Sequence, residues 1–247
     1  MQIRPLWTPP QPDLSNAVVH LTGRSGARRS DLPDDVAAMT AEERLVSILH
    51  DQQIRAFPSF SIGVDDPVVC FSEATLEGIR YLVAPRGQAP RYEAYGIAFP
   101  KQTVFDQGGG PALYVRGDEW HLVQQLPAQF RGRATRYWPG ADPDPGGAPL
   151  QPALASTSLW TDEREWRLVG AEGLSFTWDQ IAYALMPDPA SWERIAAALL
   201  APLENHARML ATAFADQDPI VQEAEDDVRD CDAALAGIPV KTPTPQP

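Results

Sequence analysis

Five polar side chains stand in segments that otherwise read as buried strands: His20 in VVHLTG, Ser72 and Glu73 in VCFSE, Tyr95 in YGIAF and Glu165 in EREWRL. A polar group on a buried strand costs roughly 1–3 kcal/mol when neutral and unsatisfied, and more when charged. Two arrangements remove that cost. Either the group has a partner inside the fold, or it sits at a strand end that opens on a cleft, where it meets a ligand. In the first, His20 is a satisfied core or edge histidine and Glu165 is an ion-paired carboxylate with Arg164 and Arg167 as neighbours. In the second, Glu165 is a catalytic carboxylate. The residues alone leave both open, while Trp166 and Arg167 read as packing and ion-pairing supports.

Other familiar chemistries lack their residues. The GGGP run at 108–111 is not followed by Lys-Ser/Thr and a helix, so it is no phosphate loop. There is no G-x-S-x-G elbow. Cys70 and Cys231 are too few and too distant to suggest a disulfide framework, and the four His residues show no CxxC or HExxH spacing, so no metal site is expected.

The elements that must position these residues are short. Residues 17–23 read as a strand ended by glycine. From Thr40 a capping box with Glu43 opens a helix whose Leu45, Val46, Ile48 and Leu49 recur at helical spacing. Residues 67–73 read as a second strand followed by a helix over ATLEGIRYLVA. Residues 95–100 and 111–116 read as a third and a fourth, with glycines 108–110 turning between them. Residues 139–152 form a Pro/Gly-rich loop. EWRLVG and LSFTW read as a hairpin, residues 179–187 as helix or strand, and 189–215 and 218–237 as two helices. The absence of a regular βαβ repeat predicts an α+β fold. The predicted divisions are a domain over 1–187, a helical extension over 188–238 and a disordered tail over 239–247.

With 247 residues and 44% apolar content the chain can build a substantial core. No apolar run nears the roughly 18–20 residues that cross a bilayer, and the N-terminus does not read as a secretory signal. A soluble cytoplasmic protein with no membrane partner is the expectation. The net charge of −13 argues against nucleic-acid binding over the whole surface. The charge is uneven, however: residues 1–136 carry 14 basic and 15 acidic side chains, against 3 and 9 in both 137–202 and 203–247. That distribution leaves a local positive face open on the N-terminal half. Arg24, Arg28 and Arg29, and the cluster Arg131, Arg133, Arg136, Tyr137 and Trp138, combine cations with aromatics that can stack on bases. A solvated surface with a Trp anchor is the alternative.

The ordered series VVHLTGR, LVSILHDQQIRA, VVCFSEATLEGI, YGIAFPKQ, GGGPALYV and EREWRL, spanning about residues 17–187, resembles the AbiGi abortive-infection proteins and their relatives. That resemblance implies a fold similar to ADP-ribosyltransferases, including the nucleic-acid-modifying DarT type, with two small mixed sheets flanking an NAD cleft and peripheral helices. It implies that His20 and Thr22 contact the adenosine side of NAD, that Ser72 lines the cleft and that Tyr95 walls the nicotinamide. Glu165 would be the catalytic carboxylate together with His20. Glu163 is the alternative carboxylate, and Glu165 is preferred because it directly precedes Trp166-Arg167. Arg131, Arg133 and Arg136 would bind the macromolecular acceptor, whether DNA, RNA or protein. The implied activity is NAD-dependent mono-ADP-ribosyl transfer by a toxin or phage-defence effector without a metal. An antitoxin or regulatory partner is implied as well. NAD hydrolysis and a non-catalytic binding or antitoxin-like module on the same fold are the competing readings.

Overall fold

The computed structural model describes residues 15–23, 32–59, 64–83, 92–137, 164–214 and 218–243. The chain opens with β1 (Ala17–Leu21), α1 (Asp34–Ala38), α2 (Ala41–Asp51), β2 (Gln53–Ile54), β3 (Phe57–Ser59) and β4 (Val64–Ser72). It continues through α3 (Leu76–Val83), β5 (Gly96–Pro100), α4 (Lys101–Asp106), β6 (Gly110–Pro111) and β7 (Leu113–Arg116). Next come α5 (Trp120–Val123), α6 (Ala128–Arg131), β8 (Ala134–Tyr137), β9 (Glu165–Val169), β10 (Leu174–Ser175) and β11 (Tyr183–Leu185). Two long helices, α7 (Pro189–Ala213) and α8 (Pro219–Gly237), and the short β12 (Val240–Lys241) complete it. The fold is α+β. Among the described residues no helix is long and apolar enough to cross a membrane.

Strand alternation divides the core between the two faces of the main sheet. Val18, Val69, Phe71, Ile97, Phe99, Trp166 and Leu168 point to one face, where they meet Leu45 and Leu49 of α2, Ile195 and Leu199 of α7, and Leu235 of α8. Ala17, Val19, Ala98, Tyr183 and Leu185 point to the other, against Ile79 of α3. Helix α2 starts where the sequence says it should: Thr40 Oγ1 accepts from Glu43 N at 3.2 Å, and Thr40 N donates back to Glu43 Oε2 at 2.7 Å. Leu45 and Leu49, four residues apart, are the buried stripe of this helix.

The main sheet has the order β12-β11-β5-β1-β4-β9-β6, with β3 also on β4. Its pairs are antiparallel except β11–β12. The nine-residue β4 runs through both halves, so the strands form one eight-stranded sheet, accompanied by the two-stranded ladders β10–β2 and β7–β8. One edge of β4 is shared. β1 meets it only at Val19↔Ser72, and β3 takes it over from Phe57↔Val68. Residues 69–71 pair with β9 on their other edge, and between those two registers β1 and β3 part, which splits the sheet on that side.

Three expectations change. The hairpin predicted for EWRLVG and LSFTW does not form: β9 pairs with β4 and β6, and β10 pairs with β2 through Leu174↔Ile54. Gly170 (φ 145°) and Gly173 (φ 72°) turn the chain away, and a Cβ on Gly173 would lie 2.0 Å from the Ile54 carbonyl oxygen. The strand predicted over 111–116 is broken at Ala112, whose N–H donates to Glu165 O while Leu113 N–H donates to Arg133 O; the chain changes partner from β9 to β8 there. The tail expected from residue 239 instead enters the sheet: Val240 and Lys241 pair with Ala184 and Leu185, anchored by buried Ile238. Composition rich in Pro and Thr hid an apolar Ile-Pro-Val step. Helices α7 and α8 share the core of the preceding region, so the predicted extension is packed into the same body.

Candidate functional site

The split in the sheet opens into a cavity of about 210 Å³. His20 and Thr22 line it from β1 and the residue after it, Ser72 from β4, and Glu165 from β9. Arg44, Ser47 and Asp51 of α2 and Phe57 of β3 form further walls. Four residues singled out in the sequence, from three separate segments, therefore reach one space.

They reach it from opposite sides. Direct pairing of Ser72 with Glu165, and of Val19 with Ser72, puts Ser72 and Glu165 on the α3 face of the sheet. His20 pairs with Ile97, so its ring is on the α2 face, edge-on to Phe71 at 5.9 Å between centroids. A continuous sheet would separate His20 from Glu165. They share a cavity because β1 leaves β4 after a single register pair.

The His20 ring bridges the opening. Its Nδ1 lies 2.9 Å from the Cys70 carbonyl oxygen. An oxygen can only accept, so Nδ1 carries the proton and, in the neutral ring, Nε2 is the acceptor. Burial pushes the imidazole below its ordinary pKa of 6.5, with the Cys70 hydrogen bond opposing in part. The unfolded chain therefore binds a proton at a higher pH than the native state does. Stability supplied by neutral His20 is complete above pH 6.5 and is lost as the pH falls below it toward the depressed native value. Thermal midpoints measured from pH 8 to pH 5 are expected to fall through this window, and more steeply than those of His20→Asn; identical slopes would contradict the assignment.

Glu165 is 6% exposed and Arg167, two residues along the same strand and face, is 1% exposed. The guanidinium forks onto the carboxylate, Nε to Oε1 at 2.8 Å and Nη2 to Oε2 at 2.7 Å. Its Nη1 donates to Ala134 O at 2.8 Å and to Gly132 O at 3.4 Å. The carboxylate is thus fixed in place, and lone pairs on both oxygens remain beyond the two that Arg167 uses. Behind it, Trp166 Nε1 donates to Glu73 Oε2 at 2.7 Å, and Lys101 Nζ pairs with the other Glu73 oxygen. Glu73 is a support for the strand.

Thr22 Oγ1 donates to Ala41 O at 2.8 Å, tying the end of β1 to the start of α2. Tyr95 is not among the residues that line the cavity. Its hydroxyl donates to Glu42 Oε2 at 2.6 Å, and Arg194 of α7 forks onto the same carboxylate at 3.1 and 2.8 Å. Burial, then the hydrogen bond to Glu42, raises the Tyr95 pKa. The residue joins α2 to α7. Arg131 is half-buried and forked onto Asp66 at 2.8 and 3.0 Å. Arg133 lies over the Phe130 ring at 5.4 Å and Arg136 over the Trp120 ring at 5.1 Å. These arginines lie on α6, on β8 and in the turn between them, a segment that Arg167 ties by the carbonyls of Gly132 and Ala134 to the strand of Glu165. Glu163, Arg24, Arg28, Arg29 and the loop 139–152 lie outside the described residues, as does Trp138.

Sequence reasoning missed the α2 wall. Arg44, Ser47 and Asp51 recur at helical spacing beside the apolar stripe of Leu45 and Leu49, a polar edge that a helical projection of 41–51 displays. Among the described residues no group of three or more His, Cys, Asp or Glu side chains is placed to hold a metal ion. A scan against family models and searches of curated proteins and of solved structures find no match to this chain.

Proposed function

We propose that the chain is an NAD-dependent mono-ADP-ribosyltransferase with an ADP-ribosyltransferase-like fold, acting as a toxin or phage-defence effector on a macromolecular acceptor. The observation that carries this reading is the split beside β4, where His20, Thr22, Ser72 and Glu165 line one cavity.

In the proposed reaction the bond between ribose C1′ and the nicotinamide nitrogen breaks, and its electron pair leaves with neutral nicotinamide. Glu165, buried and held rigid, stabilises the positive charge that develops on the ribose, an interaction strongest in the transition state. Its lone pairs beyond the Arg167 fork accept from a ribose hydroxyl. His20 offers Nε2 as a second acceptor. The acceptor nucleophile then bonds to C1′ and gives up its proton to Glu165, the base assigned in this proposal.

The engagement of both Glu165 oxygens by Arg167 favours a second reading, a binding module in which the pair is only structural. Incubation with NAD labelled in the ADP-ribose part, together with cell extract, separates the readings. Transfer of label to DNA, RNA or protein supports the transferase. Nicotinamide release without transfer favours NAD hydrolysis, and no release leaves the binding module.

A further inference from the structure

We infer that Arg44 forms an anion subsite in the cavity, one that takes the phosphate or diphosphate of a nucleotide. That the nucleotide is NAD rests on the reading above; the subsite itself rests on geometry. The Arg44 side chain is half-buried and lines the cavity beside Thr22. Its Nε donates to Val36 O and its Nη1 to Thr22 O, both at 3.0 Å. Two carbonyls from different segments thus fix the guanidinium plane. Five N–H donors are present on such a group, and these contacts use two.

No carboxylate pairs with Arg44 among the described residues. The acids that line the cavity are engaged elsewhere: Glu165 is forked by Arg167, and Asp51 is paired with His50 and accepts from Ser47. A half-buried cation without a counter-ion is unfavourable by itself. An anion removes that cost, and a planar, pre-oriented guanidinium matches two phosphate oxygens at once.

The position also gives the ligand a direction. Thr22 is three residues beyond Val19, the residue that pairs with Ser72 beside Glu165. That is a displacement of ~10 Å along β1. A phosphate at Arg44 and a reacting carbon at Glu165 can therefore belong to one nucleotide that lies along the split, with the ring carried on that carbon beyond Glu165.

Calorimetric titration with ADP, with inorganic pyrophosphate and with NAD tests the subsite. ADP and pyrophosphate are expected to bind wild-type protein, and to compete. Arg44→Met should weaken ADP and NAD roughly 10- to 100-fold while leaving nicotinamide affinity unchanged. Arg44→Lys, which keeps the charge but not the fork, should fall between. Equal ADP affinity for wild type and a folded Arg44→Met variant would overturn the inference, and so would wild-type protein that binds neither ADP nor pyrophosphate at millimolar concentration. The wild-type titrations decide even if Arg44→Met does not fold. ADP binding that depends on Arg44, without nicotinamide release from NAD, keeps the subsite and removes the transferase reading. NAD cleavage unaffected by Arg44→Met does the reverse.

Discussion

Replacing Arg167 with methionine is expected to lower folding stability by about 3–5 kcal/mol, measured by denaturant unfolding. The guanidinium is 1% exposed and, among the described residues, supplies both side-chain hydrogen bonds to a carboxylate that is itself only 6% exposed. Removing it leaves Glu165 buried, charged and unpaired, and also strips donors from the carbonyls of Gly132 and Ala134. The cost comes from the orphaned charge more than from a lost attraction, and this gives the prediction a second part. In Glu165→Leu/Arg167→Met the charge is gone, and apolar side chains of similar volume replace the pair; most of the stability should return. A double variant as unstable as Arg167→Met would mean that the pair is not what the single replacement disrupts.

Exchanging Glu165 for glutamine is expected to reduce nicotinamide release by roughly 10²–10³-fold, the usual effect of removing one preorganised electrostatic group. The amide keeps one acceptor for Arg167 but sets its NH2 against the other guanidinium N–H and leaves the buried cation unpaired. A stability loss of about 3–5 kcal/mol is therefore expected here too, and activity is compared on protein shown to be folded by its unfolding midpoint. What disappears is the negative charge that the proposed reaction sets against the ribose. The comparison with Arg167→Met is informative. A purely structural ion pair would make activity follow stability in both variants, whereas a catalytic carboxylate makes the glutamine variant inactive while still folded. Glu165→Leu/Arg167→Met adds the converse, a stable protein without activity.

Much of this arrangement was legible locally. The capping box at Thr40 located α2, the glycine-ended run at 17–23 located β1, and EWRLVG read as a strand at β9 although its hairpin partner was wrong, because these signals depend on neighbours a few residues away. The faces of His20 and Glu165 were not legible. They depend on how β1, β4 and β9 pair, and β1 meets β4 at one register position only. Tyr95 illustrates the same limit. Its segment is a strand as expected, but its hydroxyl finds Glu42, fifty-three residues earlier, and a carboxylate already held by Arg194 of α7. Arg44 escaped notice for a related reason: it reads as one more charge on an amphipathic helix until Val36 and Thr22 are seen to hold it.

The central claim is that the split beside β4 is a site where NAD loses nicotinamide with the help of Glu165. It is tested most directly by measuring nicotinamide released from NAD by purified wild-type protein, with and without cell extract, beside folded Glu165→Gln. The account predicts release by the wild type and at least a hundredfold less from the variant. No release from the wild type under either condition, or equal release from both proteins, would contradict it.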